Sequence, residues 1–279
     1  MSVREIEASA LSEAVYGLFL RAGVVPCADV LAAVERARGE ETGAAAEVLR
    51  QISENAKIAA ETRLPSCQDT GMAIVYLDIG RDVHISGNVT EAVNDGVRRA
   101  YRDGCFRKSV LSALGRVNTG DNTPAILHER IVEGDRIHIW AMPKGFGSEN
   151  MSRVGMLKPS DGVEGVCDFI VDCAGQAGPN PCPPVVLGVG IGGSFEYAAY
   201  LAKHALLREV GSENPDPRLN ELEQTVKARI NALGYGPMGL GGRNYCLAVH
   251  MDEYPTHLAS LPVAVSFCCH ALRHADCVI

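Results

Sequence analysis

Apolar residues recur at three- and four-residue steps through the first sixty residues, which is the spacing of one helix face. The spacing predicts three helices, the third running from about Thr42 to Thr62 and ending before Pro65. We therefore expect a helical lead-in over residues 1–62 and a core over residues 63–279, together forming a single domain.

Beyond residue 62, short apolar or alternating runs that are typical of strands are interleaved with helical periodicity. The predicted strands are 72–79, 135–142, 184–191, 244–251 and 262–269. The predicted helices are 90–104, 163–177, 194–210, with Ser194 as its amino-terminal cap, and 219–234. This order indicates an α/β or mixed α+β fold, with mixed β-sheets surrounded by helices. The turn-rich stretch 212–217 is interpreted as a surface loop.

Charge and composition narrow the classes of partner. The chain has 26 Lys and Arg against 34 Asp and Glu, so its net charge is −8, which argues against nucleic acid as the main partner. The pattern contains no uninterrupted apolar stretch near the ~18 residues of a membrane span, so no membrane insertion is expected. The charged amino terminus does not resemble a secretory signal, which predicts a cytoplasmic protein.

In a reducing cytoplasm, cysteines serve as thiols, metal ligands or nucleophiles rather than as disulfides. Two of the ten cysteines lie in turn-rich sequence, Cys67 within residues 65–71 and Cys182 within residues 178–184. Four others, which lie in apolar periodic stretches, are predicted to be buried and inert: Cys27, Cys105, Cys167 and Cys173.

Cys268 and Cys269 follow the apolar run 262–267. Adjacent side chains on a strand point to opposite faces, so we expect only one of the two to face a given site. The sequence separations between Cys67, Cys182 and the pair Cys268 and Cys269 are too long for a zinc finger. Three distant thiolates can, however, hold an iron–sulfur cluster that keeps one iron open. Turn-filling cysteines, plain thiols and zinc ligands are the alternatives.

Several motifs occur in the order found in class I, iron–sulfur-dependent fumarate hydratases and the related L-tartrate dehydratases, and the chain resembles these enzymes from about residue 10 onward. The motifs are Pro65-Ser66-Cys67-Gln68-Asp69-Thr70-Gly71, Asn118-Thr119-Gly120-Asp121-Asn122-Thr123-Pro124, Lys144-Gly145-Phe146-Gly147-Ser148-Glu149-Asn150, Asn180-Pro181-Cys182-Pro183-Pro184 and Gly188-Val189-Gly190-Ile191-Gly192-Gly193. The resemblance covers the amino-terminal portion of the single-chain enzymes, which implies an α subunit with a separate β subunit.

The resemblance implies a hydro-lyase that interconverts fumarate and L-malate, a small dicarboxylate pair, in an α2β2 oligomer. It further implies that Cys67, Cys182 and Cys269 hold a [4Fe-4S] cluster. Cys268 and Cys246 are alternatives for the third ligand, although Cys246 is more typical of a strand residue.

The same resemblance assigns roles to Gln68, Asp69 and Arg107. Asp69 is implied as a catalytic acid or base, Gln68 as a hydrogen-bonding partner of the substrate, and Arg107 as the arginine that grips a substrate carboxylate. Without the resemblance, Asp69 is equally typical of a turn cap and Arg107 of a solvated surface arginine.

Two further segments are implied to reach the substrate. Gly147, Asn150 and Ser152 lie in a predicted loop, residues 144–152, whose backbone N–H groups can approach an anion. His257 resembles a family histidine that reaches the active site from its own chain or from a neighbouring protomer. Gly188–Gly193 does not fit the dinucleotide-binding pattern, so a nucleotide cofactor is rejected.

Two alternative functions stay open. The α subunit of L-tartrate dehydratase differs by one substrate hydroxyl, although Gly147-Ser148-Glu149-Asn150-Met151 resembles the fumarate hydratases more closely. A non-catalytic iron–sulfur module that senses oxidants would use the same three cysteines.

Overall fold

Alternating segments of the chain build two units in the computed structural model, which describes residues 3–279. The first unit contains the chain up to Cys27 together with Ala56–Phe146 and Arg273–Ile279. The second unit contains Ala28–Asn55 and Gly147–Leu272. Each unit has its own sheet and its own apolar core.

The order of elements confirms a mixed α/β fold. The helices are α1 (Ala8–Val24), α2 (Ala28–Glu40), α3 (Gly43–Thr62), α4 (Val89–Asp103), α5 (Phe146–Glu149), α6 (Gly162–Ala177), α7 (Phe195–Ala205) and α8 (Pro217–Asn231). The strands are β1 (Arg4–Glu7), β2 (Met72–Gly80), β3 (Val83–Ser86), β4 (Ile126–Val132), β5 (Ile137–Lys144), β6 (Arg153–Leu157), β7 (Val185–Gly192), β8 (Cys246–Tyr254), β9 (Leu261–Cys268) and β10 (Ala275–Val278).

The first unit is built on a four-stranded sheet in the order β10-β5-β2-β4. Strand β2 is parallel to β4 and antiparallel to β5, and β10 closes the other edge antiparallel to β5. Helices α1 and α4 pack together over a core that includes the fully buried Leu11, Phe19, Val97 and Tyr101. Burial of these apolar side chains is the main stabilising contribution in this unit.

The second unit is built on a sheet in the order β6-β9-β7-β8. The central strand β7 is parallel to β8 and antiparallel to β9, and all its residues are buried. Helices α6 and α8 contribute Ile170 and Val226 to a core shared with β7, and α7 packs against β7 as well. A strand covered in this way reads as a continuous apolar run, which is why it was recognisable in the sequence.

Glycines in β7 allow helix α7 to lie unusually close to the sheet. A Cβ atom at Gly188 would lie 2.0 Å from the Ala202 carbonyl oxygen, and one at Gly190 would lie 2.1 Å from that of Ala198. Both distances are shorter than any real contact, so only glycine permits this approach. The glycine-rich segment therefore serves helix–sheet packing.

Four expectations from the sequence need correction. The helical lead-in is preceded by the short strand β1, which pairs with β3 in parallel. The edge strands β4, β6 and β10 were not predicted, because their exposed positions interrupt the apolar pattern. Helix α7 ends at Ala205 rather than near Val210. Ser194 precedes α7 but its hydroxyl donates to the Glu196 carboxylate instead of capping the helix backbone.

Among residues 3–279, one helical stretch, Ala8–Glu40, contains a window long and apolar enough by composition to cross a membrane. That window is 44% buried inside the protein, and core helices of proteins without membrane spans pass the same test. Within the fold, the stretch corresponds to α1 and α2, and α1 supplies core residues of the first unit. The stretch is therefore weak evidence for a membrane span, and the expected cytoplasmic location stays a prediction.

The close approach of α7 to β7 can be tested at Gly190. We predict that Gly190→Ala lowers the free energy of unfolding by about 1–3 kcal/mol, because the added methyl group would collide with the Ala198 carbonyl. Gly175→Ala is the matched control, since a Cβ there meets nothing within 4 Å inside helix α6. The control should be neutral or stabilising by up to about 1 kcal/mol in urea unfolding. Equal effects of the two substitutions would contradict the packing argument.

A buried histidine makes the second unit sensitive to acid. His250 in β8 is 1% exposed, and its Nδ1 lies 3.2 Å from the Ala205 carbonyl oxygen. Burial, reinforced by the positive charge of Arg208, lowers the pKa of the imidazole from 6.5 to about 4. The folded protein therefore holds His250 neutral in a pH range where the unfolded chain binds a proton.

We predict that this difference destabilises the fold as the pH falls from about 6.5 to about 4. Above pH 6.5 the imidazole is neutral in both states and the free energy of unfolding keeps its full value. Once the pH falls below the folded pKa of about 4, the free energy of unfolding has dropped by about 3 kcal/mol. His250→Asn keeps a donor for the Ala205 carbonyl but does not titrate. Urea unfolding from pH 7.5 to 4 should show a steeper decline for the natural chain than for the variant, and parallel curves would refute the prediction.

Candidate active site

The residues singled out in the sequence are divided between the two units. Cys67, Gln68, Asp69 and Arg107 belong to the first unit. The remaining predicted residues belong to the second unit: Gly147, Asn150, Ser152, Cys182, His257 and Cys269. Each group is described within its own unit.

In the first unit, Cys67 and Asp69 share one turn between α3 and β2. The backbone N–H of Asp69 points at the Cys67 sulfur at 3.4 Å. The two carboxylate oxygens of Asp69 accept hydrogen bonds from the N–H groups of Gly71, at 3.0 Å, and Phe146, at 2.8 Å. The bond to Gly71 is the turn cap that the sequence left open, and the bond to Phe146 adds a long-range constraint. Asp69 is therefore held at a fixed place beside the thiol.

Three buried side chains hold the carbonyl groups of this turn. The Tyr101 hydroxyl lies 2.9 Å from the Thr70 carbonyl oxygen and 3.0 Å from that of Gly71. Asn122 donates its amide to the Gly71 carbonyl at 3.2 Å, and Arg273 donates to the Asp69 carbonyl. Burial raises the pKa of the Tyr101 phenol, so its hydroxyl stays a donor. We call this set of donors, Tyr101, Asn122 and Arg273, the carbonyl clamp.

Arg107 is brought to the same turn through its backbone. The Thr70 hydroxyl donates to the Arg107 carbonyl at 3.0 Å, and Asn122 accepts the N–H of Ser109 at 2.7 Å. The Arg107 side chain is exposed and forms no ion pair with an acidic residue of the described chain. Its guanidinium therefore has room to pair with a carboxylate from outside the chain.

The predicted loop 144–152 contains a single helical turn, α5, and its role in binding an anion stays a prediction. Glu149 pairs with Lys203 of α7, and the Ser152 hydroxyl accepts the backbone N–H of Phe267 in β9 at 3.2 Å. Gly147 and Asn150 stay exposed. The segment following α5 is thus tied to α7 and β9, while the Ser152 oxygen faces the strand.

In the second unit, Cys182 and Cys269 lie at the same end of the sheet. Cys182 precedes β7, and Cys269 follows β9, whose last residue Cys268 pairs with Val186. The neighbouring His270 Nδ1 lies 3.0 Å from the Cys182 carbonyl oxygen. Cys182 is exposed and has a left-handed backbone with φ 55°, which is uncommon for cysteine and typical of constrained functional positions.

His257 lies at the opposite end of that sheet. It follows β8, which is parallel to β7, and the preceding Thr256 hydroxyl donates to the Gly193 carbonyl at 2.8 Å. The length of β7 separates this end from Cys182 by about 23 Å. His257 instead lines a largely apolar cavity of about 580 Å³. The structure therefore does not bring His257 to the cysteines of its own unit.

Comparison with known proteins adds an independent line of observation. A model of the fumarate hydratase (fumerase) family matches residues 12–278 of the chain. The chain belongs to the fumarate hydratase family. It is accordingly a hydro-lyase, an enzyme that adds water across a double bond or eliminates water to form one.

Members of the family with similar sequences carry a common name. A protein of Methanocaldococcus jannaschii, provisionally named L(+)-tartrate dehydratase subunit alpha, is 42% identical over 273 residues, which cover 95% of this chain and 96% of the relative. The L(+)-tartrate dehydratase subunit alpha of Escherichia coli strain UTI89 is 32% identical over 259 residues, which cover 89% of this chain and 86% of the relative. The subunit alpha of Escherichia coli strain K12 is 31% identical over 256 residues, which cover 90% of this chain and 84% of the relative.

The remaining cysteines separate into inert and accessible ones. Cys167 and Cys173 are buried as predicted, and Cys246 is buried at the start of strand β8. Burial raises the pKa of Cys173 to about 11 and that of Cys246 to about 12. The prediction was wrong for Cys105, which is exposed, and Cys27 is only half-buried. Cys105 follows helix α4 in a left-handed conformation, so it leaves the apolar face of the helix.

The carbonyl clamp was missed by the sequence analysis of this family member. Tyr101 occupies the apolar face of α4, where its spacing indicated only a core residue. Asn122 lies within the motif 118–124, and its left-handed φ of 65°, which asparagine tolerates in turns, is visible only in the structure. Arg273 directly precedes His274 in the segment 270–276, and no local pattern in the sequence indicates its role.

Proposed function

We propose that this chain is the α subunit of a two-subunit hydro-lyase that reversibly hydrates fumarate to L-malate. The turn containing Cys67 and Asp69 is the observation that carries the proposal. It places a thiol and a carboxylate side by side on a backbone held by buried donors, in a chain that the family model matches almost throughout.

The chain's own residues have separate roles in this reaction. Asp69 exchanges the proton that is added at one carbon of fumarate, while hydroxide adds at the other. Each of its oxygens accepts one N–H group, which leaves a further lone pair on each oxygen for proton transfer. Arg107 pairs with one carboxylate of the substrate, and the Gln68 amide donates a hydrogen bond to it. Gly147 and Asn150, which are both exposed, contact the anion from the segment around α5.

We further propose that Cys67, Cys182 and Cys269 bind a [4Fe-4S] cluster. The chemistry of the donors fits: the Asp69 N–H donates to the Cys67 sulfur, Cys182 is exposed, and Cys269 is more accessible than the buried Cys268. No three Cys, His, Asp or Glu side chains in residues 3–279 form a ready-made metal site, so all three ligands stay predictions. When bound, such a cluster supplies an open iron that acts as a Lewis acid towards the substrate.

The relatives' names support a β subunit partner, because each is called a subunit alpha. We propose an α2β2 assembly in which the β subunit supplies the complementary base and further cations. His257 lies at the opposite end of its sheet from Cys182, and we propose that it serves the active site of a second protomer.

A second candidate is the dehydration of L-tartrate. The Escherichia coli relatives named as L(+)-tartrate dehydratase subunits favour it. The residues Gly147 to Met151 favour fumarate, as argued from the sequence. Both reactions use the same acid–base residues, since the substrates differ by one hydroxyl group.

The proposed function is tested by anaerobic co-expression with a candidate β subunit, followed by iron and sulfide analysis and rate measurements on fumarate, L-malate and L-tartrate. We expect a cluster, activity of the complex on fumarate and L-malate, and no activity of the α chain alone. A higher kcat/KM on L-tartrate would establish the second candidate. A complex with a cluster but no turnover on the three substrates would refute both and favour a redox sensor.

We predict that Asp69→Asn lowers kcat by about 10²–10⁴-fold, because the amide cannot exchange the proton. Asparagine still accepts the Gly71 N–H but loses the acceptor for Phe146, so the urea midpoint is measured alongside. Cluster absorbance should persist. Asp135→Asn, at an exposed turn of the same unit, is the control and should keep full activity. Full turnover of Asp69→Asn would exclude Asp69 as the proton-transfer group.

The same variant tests the placement of His257. Mixed assemblies of Asp69→Asn and His257→Asn chains should recover activity that neither variant has alone, because one mixed site keeps both natural residues. Absence of recovery in assemblies shown to be mixed would place His257 outside the active site of a second protomer.

A further inference from the structure

We propose that Arg273 is a positioning residue that joins the Asp69 turn to the end of β5 and supplies a buried positive charge next to it. This inference rests on the proposed function, because the residue it positions is the proposed proton-transfer group. Arg273 belongs to none of the motifs that identified the chain, and it lies 204 residues after Asp69.

The contacts of the guanidinium are the first observation. One terminal nitrogen donates to the Asp69 carbonyl, and Nε donates to the Pro143 carbonyl at 3.5 Å. Three residues beyond Pro143, the Phe146 N–H donates to the Asp69 carboxylate. The segment 143–146 thus holds Asp69 at its side chain directly and at its backbone through Arg273.

The space around Asp69 gives this frame little freedom. A Cβ at Gly145 would lie 3.2 Å from the Asp69 Oδ2, so the segment lies directly against the carboxylate. A Cβ at Gly71 would lie 2.7 Å from the Lys144 backbone nitrogen, and Gly71 has a left-handed φ of 81°. Any rotation of the turn therefore meets the backbone of β5. Among the carbonyl groups of residues 69–71, Arg273 binds the one that neither Tyr101 nor Asn122 contacts.

The charge of Arg273 is the second observation. Arg273 is only 4% exposed, and no carboxylate among residues 3–279 forms an ion pair with its guanidinium. Its Nη1 is buried and has no acceptor in the described chain. A buried guanidinium without a carboxylate is costly to fold, and such charges are retained mainly where they serve a site. The acidic residue that Arg273 contacts, through its backbone carbonyl, is Asp69.

Arginine suits this position better than lysine. Its planar group presents donors in fixed directions and can bridge two carbonyl groups at once, whereas an ammonium group is a single point. Arg273→Lys should therefore keep the charge and lose one of the two carbonyl contacts. Arg273→Met removes both and keeps much of the apolar stem.

The experiment combines hydrogen exchange with kinetics on the α–β complex. For Arg273→Met, we expect amides of residues 66–71 to exchange about tenfold faster, with exchange of α1 and α4 unchanged. We expect kcat/KM to fall by about 100-fold, mainly in kcat, since a misplaced Asp69 affects proton transfer more than binding. For Arg273→Lys, the exchange rates and kcat/KM should lie between those of the natural chain and those of Arg273→Met. Millimolar guanidinium chloride, compared with equal NaCl, should restore both exchange protection and kcat in Arg273→Met.

Arg21→Met is the matched control. Arg21 lies in the same unit and donates to the Asp276 carbonyl at 2.8 Å, but it does not contact the turn. It should leave exchange at 66–71 and kcat unchanged. If Arg273→Met itself fails to fold, Arg273→Lys carries the same comparison.

Two outcomes would overturn the inference. Unchanged exchange at residues 66–71 would show that Arg273 does not hold the turn. Faster exchange throughout the first unit, without rescue by guanidinium, would show a general core residue. If the natural complex is inactive on every substrate, the proposed function fails, whereas the exchange and its rescue still decide whether Arg273 positions the turn.

Discussion

The carbonyl groups of residues 69–71 form hydrogen bonds with buried side chains, and the first half of the candidate site depends on this constraint. A turn that presents reactive side chains leaves its backbone outside the ladders of helices and sheets. Its polar groups still need partners when they are buried. In this protein Tyr101, Asn122 and Arg273 provide them from three separate parts of the chain. Because these side chains hold the backbone, Gln68 stays exposed and Cys67 and Asp69 stay half-exposed.

The second half of the candidate site depends on a different constraint, the packing of one central strand. Strand β7 is covered on both faces, and its glycines let α7 approach until the helix backbone touches the sheet. This contact fixes the position of α7 on the strand. Lys203 of the same helix pairs with Glu149, so the helix also anchors the segment that carries Gly147 and Asn150. Packing and placement of the site are therefore coupled through α7.

Local signals in the sequence were sufficient for most of the fold. Continuous apolar runs identified β2, β7 and β9, and helical spacing identified α4, α6 and α8, because these elements bury a regular face. The edge strands escaped because exposed residues break their period. Turn-rich surroundings separated Cys67 and Cys182 from the inert cysteines, whereas Cys105 escaped because the helix ends just before it. Arg273 could not be assigned, since its partners lie more than a hundred residues away.

The interleaving of the two units imposes an order on the maturation of the chain. Residues 147–272 of the second unit are all synthesised before residues 273–279 return to the first unit. Until those seven residues emerge from the ribosome, the first sheet lacks its edge strand β10 and the Asp69 turn lacks Arg273. The Asp69 turn is therefore completed only after the second unit has been synthesised. A nascent chain interrupted between Cys269 and Arg273 would contain all three candidate cysteines but would lack the contact that holds the Asp69 carbonyl.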